Sequence, residues 1–156
     1  MDIDGVLAKY GLTMPAAPVK AGVYAPVKEF GENLFYMSGC LPNLSGGTVY
    51  KGRLGREYTV EEGQQAARCC ALNLLAVIQR DLGSLDRVKR IVKMLAMVAC
   101  TEDFYEQPKV ANGASQLLVD IFGEEAGLCA RSAIGTNSLP ANVPVEIELL
   151  IEVYPE

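Results

Sequence analysis

The chain of 156 residues contains no histidine. That one absence removes Ser–His triads, Cys–His dyads, His-ligated zinc or haem and any imidazole base. Catalysis must come from Arg, Lys, Glu, Asp, Tyr, Ser, Cys or the backbone. No C-x-x-C spacing occurs, and the five cysteines (Cys40, Cys69, Cys70, Cys100, Cys129) are odd in number. Neither a disulfide framework nor a zinc ribbon is expected. Cys69 and Cys70 are adjacent on what reads as a helix and point in different directions, which suits small buried hydrophobes in a reducing cytosol better than a shared ion. Positive charge is in deficit: 14 Lys and Arg stand against 19 Asp and Glu, for a net charge of −5. Such a chain gains little by neutralising phosphates, which argues against nucleic acid as a partner. No apolar run reaches membrane-spanning length, and residues 1–12 are acidic and lack the apolar core of a secretory leader. A cytoplasmic protein is expected. There is no P-loop, no G-x-G-x-x-G after a strand, no G-x-S-x-G and no EF-hand loop.

Hydrophobic residues make up 50% of the chain and charged residues 21%, the composition of one globular domain. Residues 1–20 read as an N-terminal arm with a short helix or turn at 6–12, and residues 21–156 as a single α+β domain. Residues 22–27 and 34–39 form a candidate hairpin across Gly31-Glu32-Asn33, with Pro26 placing the first strand at an edge. Residues 48–50 follow a Gly46-Gly47 turn as a further short strand. Thr59-Val60-Glu61-Glu62 is a capping box, and the apolar stripe through Ala67, Cys70, Leu74, Val77 and Ile78 predicts a helix over 60–82, stopped by Gly83. Residues 88–100 read as a buried strand. After a loop containing Pro108, a second helical stripe runs from Val110 to Phe122 and stops at Gly123. Residues 130–135 read as a short strand. In residues 145–153, Val145, Ile147, Leu149, Ile151 and Val153 share one face, while Glu146, Glu148, Leu150 and Glu152 share the other. The order β-β-(β)-α-β-α-β-β predicts a mixed sheet with two helices on one face.

Arg131 lies in the apolar segment 129–135, where an arginine is costly unless it is paired or opens into a pocket. Its fork of donors suits a carboxylate held by two parallel bonds; the alternative is an edge-strand arginine with its head in solvent. Glu146 alternates with the core face of the last strand. Its face also carries Leu150, which points to an interface or partly covered sheet rather than a solvated one. A carboxylate beside an arginine can hold and activate a water. Tyr24 and Ser38 fall on the hairpin and can give hydroxyls to a pocket, or simply pack. Asn112 opens the second helix, where it can also satisfy local backbone groups.

Taken together these residues are recognisable. From residue 20 to about 153 the chain resembles the RidA (YjgF) family of reactive imine and enamine deaminase-like proteins, also labelled endoribonuclease L-PSP. The resemblance rests on Gly22-Val23-Tyr24, on Leu34-Phe35-Tyr36-Met37-Ser38-Gly39, on Gln64, Ala67 and Asn73 in the first long helix, and on the run from Leu85 to Lys93. It rests further on Asp103-Phe104, Asn112 and above all the signature Ala130-Arg131-Ser132, Leu139-Pro140 and Val143-Pro144-Val145-Glu146-Ile147-Glu148. The resemblance implies a chorismate-mutase-like fold and a homotrimer with clefts between subunits. It implies a 2-imino or 2-enamino acid such as 2-aminoacrylate as substrate, and a 2-keto acid and ammonia as products. Arg131 would hold the carboxylate, Glu146 would orient the water, and Tyr24 would line the pocket or assist proton transfer. Ser38, Gly39, Asn112 and Cys40 would shape the pocket. No metal and no cofactor are implied.

The chain departs from the deaminase branch at three wall positions. Ala133 stands where cysteine is common, Gly135 where an acid is common, and Cys40 where glutamine follows Ser-Gly. Two other functions compete with hydrolytic deamination. One is a non-catalytic trimer that binds a small carboxylate metabolite and regulates a partner. The other is an endoribonuclease or translation inhibitor, which the net charge disfavours.

Overall fold

The computed structural model describes residues 2–155. Its elements are α1 (Ile3–Ala8), β1 (Val27–Phe30), β2 (Leu34–Cys40), α2 (Val60–Asp81), β3 (Val88–Ala99), α3 (Gln107–Gly127), β4 (Ala130–Thr136) and β5 (Val145–Val153). The five strands form one sheet in the order β1-β2-β5-β3-β4. Neighbours are antiparallel except β3 and β4, which run parallel because α3 crosses between them. This is the α+β architecture that the sequence predicts.

Alternation along β5 sorts its side chains as expected. Val145, Ile147, Leu149, Ile151 and Val153 are buried, while Glu146, Glu148, Leu150 and Glu152 lie half-buried on the other face. Both long helices pack on the first face and leave the second open. The capping box that starts α2 is complete: the Glu62 amide donates to the Thr59 hydroxyl at 3.3 Å, and the Thr59 amide donates to the Glu62 carboxylate at 2.8 Å. From Cys69 to Ile78 every residue of α2 is buried, because the sheet covers one side and α3 the other. The two helices cross in backbone contact. A β-carbon on Gly113 would lie 2.0 Å from the Gln64 carbonyl oxygen, so only glycine fits that crossing.

The N-terminal arm is docked. Leu7 of α1 is fully buried, and the Tyr10 hydroxyl donates to the Asp120 carboxylate on α3.

Four local expectations are corrected. The first hairpin strand is Val27–Phe30 and not 22–27, since Pro26 has no N–H to give a ladder and residues 21–25 form an exposed loop ahead of it. Residues 48–50 are no strand. The Tyr50 amide instead donates to the Asn43 side chain at 2.9 Å, so a local side-chain bond takes the place of a ladder bond. Helix α3 begins at Gln107, with Pro108 in its first turn, where a missing N–H costs nothing. Gly123 kinks this helix, with φ 81° and ψ 167°, and the chain continues in helical turns to Gly127.

Candidate active site

On the open side of the sheet, near the start of β5, Tyr24, Ser38, Gly39 and Glu146 meet in a cleft of about 380 Å³. The irregularity in β2 between Met37 and Cys40 makes this possible. It pulls Ser38 and Gly39 out of the regular ladder and leaves them facing Glu146, while Met37 and Cys40 stay in the core. The Ser38 hydroxyl donates to the Ala25 carbonyl at 2.7 Å, so its remaining capacity is to accept. Tyr24 sits in the approach loop and not on a strand. Its hydroxyl accepts from the Ala21 amide at 3.3 Å, which folds the loop against the cleft.

Glu146 is half-buried, and among the described residues nothing donates to its carboxylate. Burial pushes its pKa above the ordinary carboxylate value, and the neighbouring Glu148 charge adds to the effect. Glu148 is itself engaged, accepting from the Tyr36 hydroxyl at 2.7 Å. An unpaired carboxylate raised by desolvation in a cleft is suited to accept a proton from water.

Arg131 is elsewhere. On β4 it pairs in register with Met94, which is buried beneath the helices, so its side chain turns to the helix side of the sheet. There its Nη1 donates to Asn112 Oδ1 at 2.8 Å and to Ser115 Oγ at 3.1 Å. Asn112 and Ser115 are neighbours on one face of α3 through their i, i+3 spacing. Asn112 thus lies inside α3 and holds the arginine, where the sequence reading has it opening the helix. Ser115 escapes sequence reasoning, although the three-residue spacing from Asn112 was a usable signal. No carboxylate pairs with Arg131 among the described residues, and its Nη2 and Nε are left without protein acceptors.

Within one chain, therefore, arginine and glutamate are not neighbours. Strand β3 separates β4 from β5, a distance of about two strand spacings or 10 Å, and the two side chains leave opposite faces. Of the apolar residues beside it on β4, Ala130 and Ile134 do not surround the arginine. They alternate to the open face, where Ile134 is 48% exposed, and only Ala133 and Gly135 share the face of Arg131.

Cys40 lies beside the cleft in a more enclosed recess that shares Tyr24, Ser38 and Gly39 with it. Burial, and then the Glu146 charge, push its thiol up to about 12. A thiol so raised is almost wholly protonated at neutral pH, which suits a wall better than a nucleophile. All five cysteines are free. Among the described residues no group of three or more Cys, Asp or Glu side chains converges to hold a metal ion, and no helix is long and apolar enough to cross a membrane.

Residues 4–153 match the family described as YjgF/chorismate mutase-like, putative endoribonuclease. The chain belongs to the YjgF family, also called RidA. It is similar to protein TCP17 of Trypanosoma cruzi, with 44% identity over 147 residues, which are 94% of this chain and 91% of that one. The crystal structure of Atu1372 from Agrobacterium tumefaciens superposes with a TM-score of 0.89 at 40% identity, over 97% of this chain and 92% of that one. A putative endoribonuclease from Shewanella oneidensis MR-1 superposes with a TM-score of 0.88 at 34% identity, over 97% and 99% of the two chains. The chorismate-mutase-like fold and the family are thereby shown for this chain.

Proposed function

We propose that the chain is a cytoplasmic hydrolase that deaminates small 2-imino acids in clefts formed between copies of itself. The observation that carries this reading is the separation of two unsatisfied halves. Arg131 offers two unfilled nitrogens on one edge of the sheet, and Glu146 offers an unpaired, half-buried carboxylate on the open face. A second copy that brings its β4 edge to the cleft would put the two halves together. The open face supports such docking, since Leu95, Met97, Ile134 and Leu150 lie on it with no helix to cover them. A closed ring of three copies, as the family resemblance implies, would complete three sites.

In such a site Arg131 holds the substrate carboxylate by two parallel charge-assisted bonds, and Asn112 and Ser115 keep the guanidinium in plane. An enamine such as 2-aminoacrylate first tautomerises to its imine. Water then adds to the carbon of the protonated imine as Glu146 takes one of its protons, giving a neutral carbinolamine. That intermediate collapses when its nitrogen is protonated: the C–N bond breaks as the carbonyl forms, the hydroxyl proton passes to the departing ammonia to give ammonium, and the 2-keto acid remains. Glu146 returns its proton in this step, so the enzyme is unchanged. The raised pKa of Glu146 favours this shuttle, because a stronger base accepts the water proton more readily. Free thiols throughout suit the reducing cytoplasm.

The test is ammonia release from 2-aminoacrylate generated by a pyridoxal-phosphate lyase, with and without the protein, and with Arg131→Ala and Glu146→Gln. Acceleration lost in both variants supports deamination. A wild type that binds 2-ketobutyrate without accelerating release would be a metabolite binder. RNA cleavage that survives purification to homogeneity and vanishes with Arg131→Ala would favour the endoribonuclease reading.

A further inference from the structure

The helix side of the protein carries a second polar cavity, of about 390 Å³, that shares no wall residue with the cleft at Glu146. It lies between the docked N-terminal arm, the loop after β2 and the first half of α2. Arg68 lines it, with Tyr10 from the arm, Thr48 and Tyr50 from the loop, and Gln65 one residue row away on the helix.

Arg68 is the unusual member. Among the described residues it makes no hydrogen bond and no ion pair, and its Nε–H is shut off from solvent with no acceptor. Its guanidinium carbon sits 4.3 Å from the centre of the Tyr10 ring. That cation–π contact covers one side of the cation, and none of its donors has a protein acceptor. Asp120 is near enough for its charge to interact with that of Arg68, but it makes no ion pair with it, and its carboxylate accepts from the Tyr10 hydroxyl and from Gln116 Nε2 at 2.8 Å. The closed-off Nε is beyond a ligand's reach, but the two terminal nitrogens are open and also lack protein acceptors, and the cavity that Arg68 lines supplies the room for one.

We propose that this cavity is a second anion site, taking a small carboxylate or phosphate, independent of Arg131. With one guanidinium face covered by Tyr10, the anion meets the edge, where two oxygens of either group accept two parallel N–H bonds. The Thr48 hydroxyl and the Gln65 amide line the same space and can donate to the remaining oxygens. Leu12 and Leu44 complete the wall, so a short apolar tail on the ligand is accommodated.

Two-dimensional NMR of the full chain tests the site in an Arg131→Ala background, which silences the first one. Inorganic phosphate and propionate are titrated separately. Saturable shifts at the Arg68 Nε–H and at the Gly47 and Thr48 amides are expected with at least one probe. Response to phosphate alone marks a phosphate-bearing ligand, and response to propionate alone a carboxylate. Arg68→Gln should weaken binding by at least about tenfold, the loss of a charge-assisted pair, and Thr48→Val, on an exposed loop, by less. No shift at these positions with either probe, or shifts that saturate identically in Arg68→Gln, would overturn the proposal. Should Arg68→Gln fail to fold, unchanged affinity in Thr48→Val would overturn it as well.

Discussion

A β-carbon on residue 39 would lie 2.3 Å from the Glu146 carboxylate oxygen Oε1 and 3.0 Å from its Cγ and Cδ. Gly39 is the floor on which that carboxylate rests, and glycine there is a requirement of the neighbour and not of the backbone, whose φ is ordinary. Gly39→Ala should therefore fold, because a glutamate head can swing away, but it should turn Glu146 out of the cleft. Activity should fall toward that of Glu146→Gln while thermal midpoints stay close to wild type. A fully active Gly39→Ala enzyme would show that the carboxylate works from another position.

Glu146 should set the acid limb of the pH profile. Burial raises its pKa, so the fraction in the basic form, and with it kcat/KM, should climb with pH through a value above that of an ordinary glutamate. Glu146→Gln should remove that limb together with about 10²-fold or more of the rate, the usual contribution of a positioned base. Stability should move the other way. A carboxylate with a folded pKa above its unfolded one contributes fully at pH below the unfolded value, and that contribution is lost as pH rises through the folded pKa. Glu146→Gln, which never ionises, should thus be relatively more stable than wild type at neutral pH than at pH 4. Chemical denaturation at both pH values checks the sign.

Arg131 should carry most of the ligand recognition. Removing a bidentate charged contact costs on the order of 2–5 kcal/mol, so Arg131→Ala should bind 2-ketobutyrate at least about 30-fold more weakly. Arg131→Lys keeps the charge without the fork and should recover only part of the loss. Asn112→Ala should lie between them, because it loosens the guanidinium that it accepts from at 2.8 Å without removing it. Titration calorimetry on wild type and the three variants decides, and equal affinities would make Arg131 a structural residue.

Cys40 should be silent toward alkylating reagents. Its thiol, pushed up to about 12 by burial, is almost wholly protonated at pH 8. Iodoacetamide should leave it unmodified in the folded protein, and Cys40→Ser should retain turnover. Loss of turnover in an intact Cys40→Ser assembly would make the thiol a participant.

The bond from Tyr10 to Asp120 ties the arm to α3 and holds the Asp120 carboxyl below its usual range, with the Gln116 amide as a second donor. A depressed carboxylate contributes stability above its unfolded pKa and loses it as pH falls through the folded one. Tyr10→Phe should cost about 1 kcal/mol at neutral pH, the ordinary worth of such a bond, and the difference from wild type should shrink in acid. Denaturation midpoints at pH 7 and pH 3 measure it.

Local chemistry determined much of this protein from sequence alone. The Thr59–Glu62 box starts α2, the strict alternation of β5 separates Val145 and Ile147 from Glu146 and Glu148, and the missing histidine removes any imidazole base. These features depend on residues within a few positions of one another, so they can be read along the chain. The third short strand failed for the complementary reason, since the Asn43 side chain reached the Tyr50 amide from seven residues away. Only the tertiary structure decided which face each site residue takes. The parallel pairing of β3 with β4 turns Arg131 toward α3, and the irregularity after Met37 turns Ser38 and Gly39 toward Glu146. Strand order is fixed by long-range packing, and a one-residue change in register reverses every side chain. That is why a sequence that names both Arg131 and Glu146 does not reveal that a single chain holds them apart.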